Sequence, residues 1–144
     1  MIRYNDLDRL EYEEYRDFLT RTDLGSQYPK QSFEARIRRV LRNVDICITA
    51  RIDSGLVVGI CFGLTDSAYF LFLTDLGVDR AYAGQGIGRR LVEMAVDKAG
   101  GPDDITVTTI SNSKAVGFYE KCGIKNENNL VVRYCRQWES FVVT

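Results

Sequence analysis

Apolar and polar positions change their spacing along the chain, and the changes divide it into blocks. Ile2–Tyr4 reads as a short strand. From Leu7 to about Leu19, apolar Leu7, Leu10, Tyr15, Phe18 and Leu19 recur at helical spacing. Asp23, Gly25, Ser26 and Pro29 break the next stretch into a loop. Ser32 then stands as an N-cap before Phe33, Ile37, Val40 and Leu41, again at helical spacing.

After Asn43 the pattern becomes β-branched and apolar. Asp45–Ile52 and Leu56–Leu64 read as a hairpin across Asp53-Ser54-Gly55, and Ala68–Val78 follows as a long third strand. Beyond Val78 a helix is predicted from about Gly86 to Ala99, with Ile87, Leu91, Met94 and Ala95 inward and Gly100-Gly101-Pro102 as its stop. Ile105–Ile110 reads as a strand. Lys114–Cys122 reads as a helix with Ala115, Phe118, Tyr119 and Cys122 inward, ended by Gly123. Leu130–Gln137 reads as a last strand, followed by an apolar tail holding Trp138 and Phe141–Val143. Only the β-α-β of the second half demands a parallel pair. The expected fold class is therefore α/β (α+β mixed). Its central sheet is mixed, antiparallel in the first half and parallel in the second, with helices on both faces. No repeat or linker interrupts it, so residues 1–144 read as one domain.

Charge and composition narrow the function by exclusion. Nineteen basic residues nearly cancel twenty acidic ones, which predicts neither nucleic acid nor a membrane as a partner. Arg36, Arg38, Arg39 and Arg42 cluster on one predicted helix, as a solvated face or an anion-binding patch. The N-terminal residues do not read as a signal peptide and no apolar run spans a bilayer, so a cytoplasmic location is expected. The four cysteines form no C-x-x-C pair and the chain has no histidine, so no metal site is expected. Ser-His-Asp and Cys-His chemistry are unavailable as well.

The most informative stretch is Gly84-Gln85-Gly86-Ile87-Gly88-Arg89, at a strand-to-helix junction. Alternate glycines let backbone approach a ligand, and the helix start offers unpaired N–H groups to a phosphate or pyrophosphate. A dinucleotide fingerprint fails, because its last glycine would fall on Arg89 or Leu91 and no acid ends the next strand. A P-loop would need Gly-Lys-Ser/Thr, which is missing.

Val78–Gly88 resembles the pyrophosphate-binding loop of the GNAT superfamily of acyl-CoA-dependent N-acyltransferases, whose pattern is Gln/Arg-x-x-Gly-x-Gly/Ala. Its glycines fall on Gly86 and Gly88; its first, polar position falls on Ala83, a departure. Asn112–Ile124 resembles the family's Asn-x-x-Ala-x-x-Phe-Tyr-x-x-x-Gly-Phe helix, at the spacing that one helix and one strand require. The resemblance covers roughly Asp45 to Arg136. It implies a GNAT-like sheet whose parallel pair splays, and an acetyltransferase moving an acetyl group from acetyl-CoA (coenzyme A) to a primary amine.

By resemblance, Leu76, Gly77 and Val78 line the pantetheine arm with backbone, and Ala83, Gly84, Gln85, Gly86, Ile87, Gly88 and Arg89 form the pyrophosphate site. Asn112, Ala115, Tyr119 and Lys121 complete the cofactor side, although Asn112 fits a helix N-cap equally well. Tyr119 is the candidate general acid for the departing thiolate, since phenol and thiol pKa values lie within about two units. Asp75 is the candidate base, with a water chain, a strand distortion or a counter-ion role as alternatives. Tyr28, Phe33 and Phe62 are candidates to line the acceptor pocket. The acceptor is a small molecule or a protein amino group. An idle acyl-CoA sensor is the alternative function, and the apolar tail leaves a homodimer open.

Overall fold

The structure, a computed structural model, describes residues 1–135 and 141–144. Its elements run β1 (Arg3–Asn5), α1 (Tyr12–Leu19), a 3-10 turn (Leu24–Gln27), α2 (Phe33–Asn43), β2 (Ile46–Arg51), β3 (Val57–Thr65) and β4 (Phe70–Val78). A second 3-10 turn (Arg80–Tyr82), α3 (Ile87–Ala99), β5 (Thr106–Thr109) and α4 (Val116–Lys121) follow. The sheet order is β1-β2-β3-β4-β5. Every pair is antiparallel except β4–β5, which is parallel. The mixed sheet expected from the element order is thus the sheet observed.

Two apolar cores lie on opposite faces of the sheet. Tyr15, Phe18 and Leu19 of α1 and Ile37 and Leu41 of α2 pack with Val57, Ile60 and Phe62 of β3. Ile87, Leu91 and Ala95 of α3 pack with Ile48, Val58, Cys61, Leu71 and Leu73. The central strand β3 is therefore buried on both faces, which its unbroken apolar run requires.

Three expectations need correction. The first helix starts at Tyr12, and Leu7 is 83% exposed. Asn5 accepts the Leu7 N–H at 2.7 Å, and Asp8 accepts the Arg9 N–H at 2.9 Å while binding the Thr49 hydroxyl and Arg51. Such local side-chain bonds compete with helix. Ser32 precedes α2 as expected, but in a left-handed conformation without a side-chain cap bond. The last strand, expected over Leu130–Gln137, is absent over residues 130–135, which are irregular and exposed. Residues 136 and 137, like Trp138, lie outside the described residues. Strand propensity is a fit to a partner surface, and among the described residues 130–135 pair with none. The end of the tail covers this chain's own helices: Val143 is buried against Gly25, and Phe141 packs edge-on to Phe33 at 5.2 Å.

Candidate active site

β4 carries the break that builds the site. Phe62 pairs with Asp75, but Gly63 pairs with Leu73, so Thr74 is an extra residue. The bulge reverses the alternation. Leu71 and Leu73 enter the α3 core, whereas Asp75 and Gly77 face the α1–α2 side. The parallel ladder with β5 also stops at Leu73–Thr109, and β4 runs on through Val78 paired with β3 alone. The gap is a cavity of about 290 Å³. Leu76, Gly77 and Val78 line one side, Thr109 to Asn112 the other, and Ala115 and Tyr119 of the α4 segment close it.

The 3-10 turn forms the roof. A Cβ on Gly77 would stand 2.4 Å from Leu24 Cδ1, so only glycine lets the turn rest on the strand. Arg80 ties the turn down, donating to the Thr22 carbonyl at 2.9 Å and to Asp23 at 2.7 Å. Arg21 bridges Asp17, the Val57 carbonyl and buried Asp79, which caps the Ala81 N–H at 2.9 Å. Sequence reasoning missed this brace. Its one signal was the Asp79-Arg80 pair directly after a strand.

The glycine loop follows the cleft. Gly84 and Gly86 have φ of 78° and 80°, and a Cβ on either would meet nothing within 4 Å. Backbone conformation selects glycine there, and the face above stays open. Gly88 is different: the Phe118 ring lies 3.3 Å from a Cβ placed there, so α3 and α4 approach closely. Ile87 is buried and offers its backbone only; Ala83 and Gln85 are exposed. Arg89 is exposed and pairs with Glu93 at 3.3 Å. Asn112 accepts the Ala115 N–H at 3.0 Å, the capping alternative, while also lining the cleft. Lys121 is exposed and outside the cleft lining.

Burial pushes the Tyr119 phenol above its ordinary value, opposed by the Thr109 hydroxyl. Thr109 itself donates to the Leu73 carbonyl at 2.9 Å, at the last rung before the gap.

Asp75 lies behind the cleft. Tyr28 donates to its Oδ1, as does Gln27 at 2.6 Å, and the Tyr15 and Tyr28 hydroxyls meet at 2.9 Å. Burial pushes the Asp75 carboxyl above the usual carboxylate range, against the hydrogen bonds that favour its charge, Tyr28's foremost. Asp75, Tyr28 and Phe33 line a second cavity of about 720 Å³. Phe62, expected at that pocket, is not among its lining residues. It is fully buried under Tyr15, with ring centroids 5.2 Å apart, because β3 is covered on both faces. Gln27 was missed, since a loop glutamine carries no periodicity to mark it. Thr74 and Gln27 line both cavities, so the two meet at the bulge.

A mixed sheet opening between its parallel strands, with a glycine-led helix at the mouth, defines the architecture of an acyl-CoA-dependent N-acetyltransferase. The sequence model of the acetyltransferase (GNAT) family matches residues 5–124, and the chain belongs to that family. Solved structures share the fold. A Staphylococcus aureus protein of unknown function matches at TM-score 0.71 with 20% identity, over 93% of this chain and 100% of its own. A GNAT-family acetyltransferase of Streptococcus pneumoniae matches at 0.69 and 21%, over 94% and 100%. The glucosamine-6-phosphate N-acetyltransferase of Arabidopsis thaliana matches at 0.66 and 19%, over 94% and 99%. Among the described residues, no helix is long and apolar enough to cross a membrane.

Proposed function

We propose that this chain transfers the acetyl group of acetyl-CoA to a primary amine of a small molecule or protein. One observation carries the reading: the cleft along the β5-facing side of β4 and the cavity behind Asp75 meet at Thr74 and Gln27. A donor and an acceptor entering from opposite sides would meet beside Asp75, with Tyr119 on the donor side.

The residues present fit a coenzyme A group. β4 beyond Leu73 has no partner on its β5 side, which suits a pantetheine arm held by Leu76, Gly77 and Val78. The open glycine loop and the first N–H groups of α3 suit a pyrophosphate. When bound, acetyl-CoA supplies an activated thioester acyl group. A backbone N–H at the end of β4 would polarise the thioester carbonyl. Tyr119 would supply its phenolic proton to the sulfur that leaves as the C–N bond forms and the C–S bond breaks. Asp75 takes up the proton that the amine loses, directly or through water. Its raised pKa makes it a stronger base than an ordinary carboxylate.

Acetyl-CoA mixed with the protein and a panel of amines should release free thiol only when an amine is acetylated. Tyr119→Phe should slow transfer by about 100-fold or more while keeping acetyl-CoA affinity. Binding without release on any amine would identify an acyl-CoA sensor instead, and no binding would overturn the reading of the glycine loop.

A further inference from the structure

The arginine cluster on α2 has two fates in the folded chain. Arg38 is spent on the protein itself: it bonds Glu34 at 2.9 Å and Glu13 at 3.3 Å, and lies over the Tyr12 ring at 4.5 Å. Arg36 and Arg39 instead line the 720 Å³ cavity behind Asp75. Among the described residues neither pairs with a carboxylate. They stand one turn apart, a rise of about 4.5 Å, on the same helix face as Val40 and Asn43.

The rest of the polar lining is neutral, except for Asp75. The cavity is therefore dipolar. A carboxyl sits at the bulge, where the cavity joins the cleft, and two guanidinium groups stand at the exposed helix. Guanidinium forks match the oxygen geometry of carboxylate and phosphate, whereas a second ammonium would meet only repulsion there.

We infer that Arg36 and Arg39 bind an anionic group of the acceptor, so that the acceptor is a small primary amine carrying a carboxylate or phosphate at its far end. The inference rests on reading the Asp75 cavity as the acceptor's side. Its volume suits a small molecule. An amine at Thr74 and Asp75 directs its remaining atoms toward α2, where the arginines wait.

The test compares matched acceptors: ethanolamine phosphate with ethanolamine, and β-alanine with its amide. The anionic member of one or both pairs should show kcat/KM at least about tenfold higher, and the better pair tells phosphate from carboxylate. In the Arg36→Ala/Arg39→Ala double variant that ratio should collapse toward one. Arg36→Glu/Arg39→Glu should favour diamines, and Arg42→Ala, outside the cavity, should keep the wild-type ratio. Inorganic phosphate, titrated calorimetrically with CoA saturating, should bind wild type and not the double variant. Equal use of both members of each pair, preference for diamines by wild type, or phosphate binding untouched by the double variant would overturn the inference. Acetyl-CoA affinity is measured separately. Its absence sinks the parent reading, and its presence without an anion preference sinks only this one.

Discussion

Two aspartates, one in the turn before β4 and one within it, are shifted in opposite directions by the structure. Asp66, in the turn before the strand, accepts the N–H groups of Ala68, Tyr69 and Phe70 at 2.8 to 3.0 Å. Those backbone bonds hold its carboxyl below the usual range. Asp75, past the bulge, is buried, and burial holds its carboxyl above that range. Ionised Asp66 is an asset to the fold. Asp75 is kept where ionisation is disfavoured, and such costs concentrate at sites of chemistry. The outer half of β4, registered with β5, behaves as ordinary sheet. The inner half keeps β3 but leaves its β5 side unpaired, and carries a buried acid.

The sharpest way to break this contrast is Asp75→Asn, which keeps the shape and the acceptor for Tyr28 and Gln27. Acetyl transfer should fall by about 100-fold or more, while thermal stability at neutral pH holds or rises. Loss of folding together with activity would make Asp75 structural. In wild type, the rate should climb with pH as Asp75 loses its proton, at a midpoint above that of an ordinary aspartate.

Asp79 sharpens the comparison, because it is equally buried yet paired. Arg21→Ala would leave its carboxylate with only the Ala81 N–H and should cost about 3 kcal/mol in urea unfolding. A cost near zero would mean that solvent reaches Asp79. Gly77→Ala should cost less, about 1–3 kcal/mol, by driving a Cβ into Leu24 and lifting the 3-10 turn. Its acetyl-CoA affinity should fall more than its stability does, because the turn roofs the cleft. Equal acetyl-CoA affinity would show that the roof is dispensable.

These residues also mark what the sequence could convey. The lining of the proposed donor cleft, with the glycine loop after it, was legible because its elements are local. Gly86 and Gly88 open a helix, and Asn112 and Tyr119 stand on one short segment whose spacing resembles a known pattern. The sheet was legible for the same reason, since hairpins and one β-α-β unit permit few arrangements. The cavity proposed for the acceptor is assembled from residues far apart in the chain. Gln27 and Tyr28 meet Asp75, with Tyr15 behind Tyr28, only because the Thr74 bulge turns Asp75 to their side. Strict alternation would have put Asp75 beside Leu71 and Leu73. Phe62 illustrates the converse, an aromatic near the site in sequence terms that the second covered face of β3 buries. In the last strand, apolar Leu130–Val132 advertised pairing, but propensity names no partner.

The smallest expected effect closes the comparison. Asp66→Asn removes a charge that three backbone N–H groups favour, so the variant should melt slightly below wild type at neutral pH. A depressed pKa adds stability that is present above the unfolded value of 3.8 and is lost as pH falls through the folded value. The deficit of Asp66→Asn should therefore fade in acid. Asp75 has the opposite sign. Its raised pKa means that the folded state holds the proton more tightly, so ionisation costs stability as pH rises above the unfolded value of 3.8. Any advantage of Asp75→Asn should likewise fade in acid, but from above. Melting curves of the two variants from neutral pH downward should close on wild type from opposite sides. Approach from the same side would show that one aspartate does not sit in the environment described for it.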